Sequence, residues 1–163
     1  MTDATDLYRR IEAECPAHQT RVAARALSRY FNAAFRELGI TGEQFSLLVG
    51  IGGSDAPTIA DLAERGGADA TTLTRSVQML ERRELVRSDG GRGRRGKRLS
   101  LTSDGRRLLE QAVVEWGKAR TGLSDAMRGF APDDVRGVMT KLAAGANAAF
   151  IASDFQGDRG PAD

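Results

Sequence analysis

The 163-residue chain has little cysteine, histidine or aromatic side chain: one cysteine, Cys15, one histidine, His18, and 6% aromatic residues. A single cysteine excludes an intrachain disulfide. A structural zinc site made of cysteine and histidine takes four such ligands, so that class is excluded as well. Cys15 and His18 lie three residues apart, but no third group orients them for nucleophilic catalysis. We therefore expect no metal, no cofactor and no enzymatic activity.

Long apolar runs and a strong charge imbalance are also missing. No run approaches the ~20 apolar residues that span a bilayer. The N-terminal segment MTDATDLYRR is too polar for a secretory signal, and no glycine-rich phosphate loop is present. The net charge of +2 says little about partners, so the distribution of charge is more informative than its total. We expect a cytoplasmic protein.

Apolar side chains at helical spacing are abundant. Between Arg21 and Leu38 they occur in pairs every four residues, which predicts an amphipathic helix that stops at Gly39. Similar stripes after residue 105 and after residue 132 predict two long helices near the C-terminus. The segment 152–163 lacks such a stripe, and we expect it to be disordered.

A capping box opens the first of three short helices between the long ones. Thr41 and Gln44 stand at the two positions that such a box requires. In the helix that follows, the apolar spacing predicts that Phe45, Leu48 and Val49 point inward.

The next two short helices form a helix-turn-helix pattern. Thr58 and Asp61 match a second cap, Gly66 and Gly67 stop that helix, and Asp69 is a favourable N-cap for the next one. The third helix has one apolar stripe and a polar outer face. A tight glycine-containing turn between two such helices is typical of this motif. The stripe consists of Leu73, Val77 and Leu80.

A predicted hairpin follows directly, with strands at 85–88 and 97–101. Its tip, DGGRGRRGKR at 89–98, has five Arg or Lys residues and four Gly residues. Flexible glycines let such a tip follow a DNA groove, while arginines pair with phosphates or enter the minor groove. A basic loop alone is often a solvated turn. Directly after a helix-turn-helix, it indicates a winged helix that binds double-stranded DNA.

Three segments carry a resemblance to a known family: LGITGEQFSLL (38–48), TIADLAERGGADATTLTRSVQMLERRELVRS (58–88) and RGKRLSLTSDGRRLL (95–109). The most specific motifs within them are LTR (73–75) and LTSDG (101–105). On these residues the chain resembles the MarR (multiple antibiotic resistance regulator) family of winged helix-turn-helix transcription factors. The resemblance implies a mainly α fold with a small β-hairpin wing and with N- and C-terminal dimerisation helices.

The resemblance also implies a domain plan and a mode of action. It places a single MarR-type domain over residues 1–163, with the winged helix-turn-helix lobe at about 41–104. The dimerisation helices would lie at about 16–38 and 105–151. Family members are homodimers that usually repress neighbouring genes until an effector weakens DNA binding. We therefore expect a homodimeric, sequence-specific repressor.

The resemblance places a recognition helix at about 69–83 and arginines at the wing tip. Two positions depart from the family pattern. Gly93 stands where an Asp usually braces the wing, and Glu84 stands where a Gly usually suits a left-handed helix end. We predict that the residues contacting DNA are Thr71, Thr72, Thr74, Arg75, Ser76, Arg92, Arg94, Arg95, Lys97 and Arg98.

The C-terminal stripes give an independent physical reason for a homodimer. A monomer would expose Val138, Met139, Leu142 and Phe150, and a large apolar patch usually marks an interface. The alternative is that these helices fold back on one lobe. A two-fold dimer would place two recognition helices about 34 Å apart, which predicts a palindromic operator.

Two hypotheses concern the signal, and the first is a small aromatic or phenolic acid. It would bind between the dimerisation helices and the DNA-binding lobe, as in many members of the family that the chain resembles. Arg21 and Arg25, with His18 on the same helix face, would anchor its carboxylate. Phe45 and Trp116 would supply aromatic walls. A solvated helix face is the alternative for the two arginines.

In the second hypothesis Cys15 is a redox switch. It precedes Pro16 at a predicted helix start, a position that favours reactive thiols. Some relatives sense hydroperoxides through a cysteine near this point. Cys15 falls two residues earlier, however, and Arg21 stands where a partner tyrosine is expected. A non-specific architectural DNA binder and a protein-interaction module remain open alternatives to a regulator.

Overall fold

A computed structural model of the chain describes residues 3–67, 69–90, 96–129 and 131–157. Within these ranges the chain forms seven α-helices, a single 3-10 turn and one antiparallel pair of strands, which confirms the predicted winged-helix fold. None of the described helices is long and apolar enough to cross a membrane. The elements are α1 (Ala4–Glu14), α2 (Pro16–Ala34), the 3-10 turn (Arg36–Leu38), α3 (Gly42–Gly52), α4 (Ile59–Gly66), α5 (Ala70–Arg82), β1 (Val86–Asp89), β2 (Arg98–Leu101), α6 (Ser103–Ala126) and α7 (Pro132–Gly157).

The first helix, α1, is not predicted by the sequence analysis. Asp3 caps it by accepting a hydrogen bond from the backbone N–H of Thr5 at 3.2 Å. Leu7 and Ile11 lie one turn apart, but both remain about half exposed, at 48% and 54%. Two apolar positions in a mainly charged segment are too weak a stripe to identify a helix from sequence.

Helix α2 ends at Ala34, four residues before the predicted end at Leu38. The chain then passes through the 3-10 turn, which Gly39 ends in a left-handed conformation with φ of 64°. This path leaves Phe35 fully buried and stacks its ring on Phe45, with 4.7 Å between ring centroids. Burying a phenylalanine contributes about 1.5–3 kcal/mol, more than one helical turn gains from propensity.

Helices α3 and α4 begin at the two predicted caps. Thr41 Oγ1 accepts from the Gln44 N–H at 3.2 Å, while the Thr41 N–H donates to Gln44 Oε1 at 3.0 Å. Thr58 and Asp61 form the same reciprocal pair at 3.2 and 2.8 Å. The hydrogen bonds from Thr58 hold the pKa of the Asp61 carboxyl below its ordinary value.

Residues 1–119 form one compact unit, which contains the hydrophobic core, and residues 120–163 form a second unit. In α3, Phe45 and Leu48 are buried as predicted, but the inward prediction for Val49 is wrong because its side chain is 43% exposed. Leu47 and Ile51 lie one turn apart and are buried instead. The buried face of α3 therefore includes Leu47, Leu48 and Ile51, and Val49 lies at the edge of that face. The largest fully buried side chains are Phe35, Leu48, Leu80 and Leu99.

Helix α7 continues to Gly157, beyond the predicted end at residue 151. The predicted tail therefore begins as helix. The remaining residues of that tail, 158–163, lie outside the described residues.

Candidate nucleic-acid interface

Helix α5 starts at the predicted N-cap. The Asp69 carboxylate accepts hydrogen bonds from the backbone N–H groups of Thr71 and Thr72 at 2.9 and 3.1 Å. These bonds, the one from Thr72 first, stabilise the charged carboxylate and hold the pKa of Asp69 below its ordinary value of 3.8. Leu73 and Val77 are buried as predicted, and they fix the rotation of the helix about its axis.

The opposite face of α5 is exposed and polar. Thr71, Arg75 and Gln78 follow one another at spacings of four and three residues, so they share one helix face. Thr72 is exposed beside them. Gln78 is not among the predicted DNA contacts, although the periodicity that identifies the buried stripe also identifies this position. The face offers a hydroxyl, a guanidinium and an amide in a row.

Two other predicted contacts lie at the flanks of this face and are half-buried. The Thr74 hydroxyl donates to the Ala70 carbonyl at 2.7 Å. The Ser76 hydroxyl donates to Glu43 Oε1 at 3.2 Å, which ties α5 to α3. Both hydroxyls are therefore already engaged within the protein.

Just after the C-terminus of α5, Glu84 adopts the left-handed conformation that a glycine usually takes at this position. Glu84 has φ of 58°. Its N–H donates to the Glu81 carbonyl at 2.9 Å, and the Leu85 N–H donates to the Leu80 carbonyl at 3.0 Å. This pair of bonds is a Schellman motif, here formed without glycine. It ends the helix and directs the chain into β1.

The wing is anchored to the loop between α3 and α4. Strands β1 and β2 are antiparallel, with Asp89 opposite Arg98 at the end nearest the tip. The Leu99 N–H donates to the Pro57 carbonyl at 2.9 Å, and Arg98 Nη1 donates to the Ala56 carbonyl at 3.0 Å. These contacts hold the start of β2, the tip-side end of the strand pair, against the loop between α3 and α4.

The cations of the wing differ in how they are held. Lys97 and Arg98 are exposed, and the charge of Arg98 adds to the hydrogen bonds that lower the pKa of Asp61. Arg87, which is not among the predicted contacts, extends from β1 and meets Ser100 Oγ at 2.9 Å and Asp89 Oδ2 at 3.3 Å. The predicted tip residues Arg92, Arg94 and Arg95 lie outside the described residues.

The five predicted effector residues do not form one site. Phe45 and Trp116 line a cavity of about 530 Å³, which we call the aromatic cavity. Neither Arg21 nor Arg25 is among its described lining residues, so the predicted carboxylate anchor is separated from the predicted aromatic walls. The other apolar lining residues, Leu27, Phe31 and Phe35, belong to the amphipathic stripe predicted between Arg21 and Leu38. The cavity is lined by Leu27, Ser28, Phe31, Asn32, Phe35, Thr41, Gly42, Glu43, Phe45, Ser46 and Trp116.

His18 and Arg21 line a second, smaller cleft of about 340 Å³ between α1 and α2. His18 Nε2 lies 3.8 Å from Glu12 Oε1, a pair that is ionic only when the imidazole is protonated. Cys15 also lines this cleft, is half-buried, and stands at the junction of α1 and α2. Tyr8 and Ile11 come from α1, the helix that the sequence analysis does not predict.

Comparison with known families and structures places this geometry among transcriptional regulators. The sequence profile of the MarR family matches residues 38–95. The crystal structure of the transcriptional regulator MosR from M. tuberculosis is 35% identical, with a TM-score of 0.73, and the match covers 84% of this chain and 98% of that chain. No curated protein matches the chain by sequence.

Two structures of DNA complexes are also similar. The complex of M. tuberculosis MosR with DNA is 37% identical, with a TM-score of 0.72, and covers 83% of this chain and 98% of that chain. The complex of S. aureus MepR with DNA is 17% identical, with a TM-score of 0.64 and coverage of 82% and 96%. At that identity the MepR likeness shows the fold alone.

Proposed function

This chain belongs to the MarR family of transcriptional regulators, and from that premise we propose that it is a homodimeric repressor that binds a palindromic DNA operator. The observation that carries the proposal is the exposed face of α5, where Thr71, Arg75 and Gln78 stand in a row. In the major groove, arginine pairs with guanine, glutamine pairs with adenine, and threonine hydroxyls and methyls reach either base edges or thymine methyls.

The wing supports the same reading. Arg98 and Lys97 are exposed near its tip, and the start of β2 is held by the Ala56 and Pro57 carbonyls. This anchoring supports a fixed placement of Lys97 and Arg98 beside the helix-turn-helix. We propose that the arginines at the tip contact phosphates and the minor groove, which gives affinity that falls as salt rises.

The half-buried positions of α5 have a different proposed role. Ser76 and Thr74 hold the helix in place through their hydrogen bonds to Glu43 and Ala70. We propose that they position the recognition helix. Thr71, Thr72 and Arg75 remain the proposed contacts to DNA, and Gln78 joins them.

The proposed homodimer uses the regions 16–38 and 105–151, with residues 41–104 as the DNA-binding lobe. Apolar side chains in both parts of the chain are strongly exposed, including Val138 at 61% and Val22 at 46%. Burying such surface against a second copy is the main driving force available for association. A two-fold arrangement then predicts half-sites about one helical turn apart.

We also propose that a small aromatic or phenolic ligand in the aromatic cavity releases the DNA. The cavity volume of about 530 Å³ lies in the range of small-molecule binding sites. Phe45 and Trp116 support an aromatic ligand there. The ligand is the proposed signal that makes the repressor conditional.

Selection of bound sequences from a random duplex library tests the main proposal. We expect enrichment of one palindromic motif, with light scattering giving the mass of a dimer at micromolar concentration. Binding without sequence preference would favour an architectural protein. Failure to bind any duplex at low salt would favour a protein-interaction module. A monomer at micromolar concentration would contradict the proposed dimer.

Redox control through Cys15 is the second candidate signal. The observation that favours it is the position of the half-buried thiol, in a cleft beside His18 and Arg21. Treatment with an organic hydroperoxide should then lower the DNA affinity of the parent and leave Cys15→Ser unchanged. An equal response from both proteins would rule out the thiol as the sensor.

A further inference from the structure

Three phenylalanine rings of the aromatic cavity stack on one another in a row. Phe31 and Phe35 stack with 6.3 Å between centroids, and Phe35 stacks on Phe45 at 4.7 Å. Trp116 also lines the space. The faces of aromatic rings carry negative partial charge and attract cations, most strongly where water is partly excluded. Phe35 is fully buried and stacked with Phe31 and Phe45, so the ring surface open to a ligand belongs mainly to Phe31 and Trp116. This surface favours a flat ligand and tolerates a positive charge on it.

The charge of the aromatic cavity is negative. Among the described residues that line it, Glu43 is the only charged one. A ligand carboxylate would meet this like charge without a compensating cation. A ligand ammonium would meet an opposite charge. The cavity therefore selects against the carboxylic acid that the sequence analysis expects.

Three other polar side chains of the lining already form hydrogen bonds within the protein. Thr41 Oγ1 accepts from Gln44 N–H, and Asn32 Oδ1 accepts from Gly42 N–H at 2.7 Å. The Ser46 hydroxyl donates to the Gly42 carbonyl at 3.0 Å. The Glu43 carboxylate, with two oxygens and several acceptor positions, has the most capacity left for a ligand donor.

One contact of Glu43 reaches the recognition helix. Its Oε1 accepts the hydroxyl of Ser76 at 3.2 Å, and Ser76 follows Arg75 on α5. A hydrogen bond between a carboxylate and an ammonium is stronger than one to a neutral hydroxyl. A cation in the aromatic cavity therefore competes with Ser76 for the same carboxylate.

We propose that the aromatic cavity binds a small aromatic cation, an arylalkylamine, and that its ammonium draws Glu43 away from Ser76. DNA favours the arrangement in which Glu43 holds Ser76, and the amine favours the arrangement in which Glu43 faces the cavity. Each ligand then weakens the other by the same factor, because coupling between two sites is reciprocal. The proposal rests on the proposed function, since it names the ligand class and the switch contact of a DNA-binding regulator.

Calorimetry with a matched pair of probes tests the ligand class. Tryptamine and indole-3-propionate share the indole ring and a two-carbon tail, and they end in opposite charges. We expect tryptamine to bind the full chain at least tenfold more tightly. Equal affinities, or tighter binding of the acid, would overturn the proposal. This measurement needs only the parent protein.

Substitution of Glu43 tests whether this carboxylate causes the preference for tryptamine. Glu43→Gln should reduce the tenfold preference for tryptamine to less than threefold. Glu37→Gln, which removes an exposed carboxylate that does not line the cavity, should keep the full preference. Thermal unfolding by circular dichroism verifies that both variants are folded. A full preference in folded Glu43→Gln would contradict the assignment of Glu43.

Substitution of Ser76 tests the switch. We expect tryptamine to lower the operator affinity of the parent at least fivefold. In Ser76→Ala, tryptamine should bind at least as tightly as to the parent, because the competing hydroxyl is gone, but it should change operator affinity less than twofold. An undiminished effect in Ser76→Ala would overturn the switch contact. A parent that binds its operator but does not prefer tryptamine overturns this inference alone, whereas a parent that prefers tryptamine but binds no duplex overturns the proposed function.

Discussion

The backbone of Gly105, in the first turn of α6, lies directly against the carbonyl oxygen of Leu85. A Cβ atom at Gly105 would overlap that oxygen. Thr102 closes the same junction, because its hydroxyl accepts from Gly105 N–H at 3.0 Å and donates to the Glu84 carbonyl at 2.6 Å. The glycine of the LTSDG motif thus lets the start of α6 pack against Leu85, just after the end of α5.

Replacement of this glycine should destabilise the protein strongly. Gly105→Ala forces the backbone of α6 away from Leu85, and we expect a loss of about 3 kcal/mol in the free energy of unfolding. Urea denaturation measures it. Gly117→Ala is the matched control, since its Cβ would meet nothing within 4 Å in the middle of the same helix. That change should stabilise by about 0.5–1 kcal/mol, and equal effects at both sites would contradict the packing at Leu85.

Glu84 should gain from replacement by glycine. Its φ of 58° lies in the left-handed region, which disfavours residues with a Cβ. We expect Glu84→Gly to stabilise by about 1 kcal/mol in urea denaturation. Glu84→Ala retains the Cβ and should give no such gain. A comparable gain in both variants would show that the side chain of Glu84, and not its backbone conformation, is unfavourable.

The cap of α5 should make stability depend on pH. Because hydrogen bonds lower the pKa of Asp69 in the folded protein, its contribution is complete above 3.8 and is lost as pH falls through the lower folded value. At pH 7, Asp69→Ala should be less stable than the parent. The difference should shrink as pH falls below 3.8. Asp69→Asn keeps a neutral cap, so its stability relative to Asp69→Ala should not shrink in this way.

Arg75 should determine base preference. Arg75→Ala should weaken binding to the selected operator by about 1–3 kcal/mol and relax preference at one position of each half-site. Fluorescence anisotropy with single-base operator variants measures both effects. Arg9→Ala removes an exposed arginine that pairs with Asp6 on α1, and it should leave the preference intact. Unchanged discrimination in Arg75→Ala would remove α5 from the base-reading role.

The wing should control salt dependence. Arg94→Ala and Arg95→Ala should each weaken binding to all duplexes and reduce the slope of log affinity against log salt by about 1. The measurement is a salt titration on operator and on unrelated DNA, with Arg9→Ala again as the control. Parent-like affinity and slope in both variants would mean that the basic tip does not contact DNA.

The caps, the buried stripe of α5 and the position of the wing could be predicted because they depend on local interactions. Thr41 with Gln44, Thr58 with Asp61, and Asp69 with Thr72 are three residues apart, so the sequence itself brings them together. The proposed effector site could not be predicted in the same way. Arg21 and Phe45 lie on different elements, and the packing of α1 and α3 on different parts of α2 places them in two separate cavities.

The sequence by itself determined the order of the elements after α1, the N-caps of α3, α4 and α5, and which face of α5 is polar, because backbone hydrogen bonding and helical periodicity act over a few residues. Tertiary packing decided the contacts between residues that are far apart in the sequence. It ended α2 early to bury Phe35, placed Gly105 against Leu85, and joined Glu43 to Ser76 across 33 positions of chain. Such contacts form only when distant segments share one core, since burial and steric fit depend on every element that meets there.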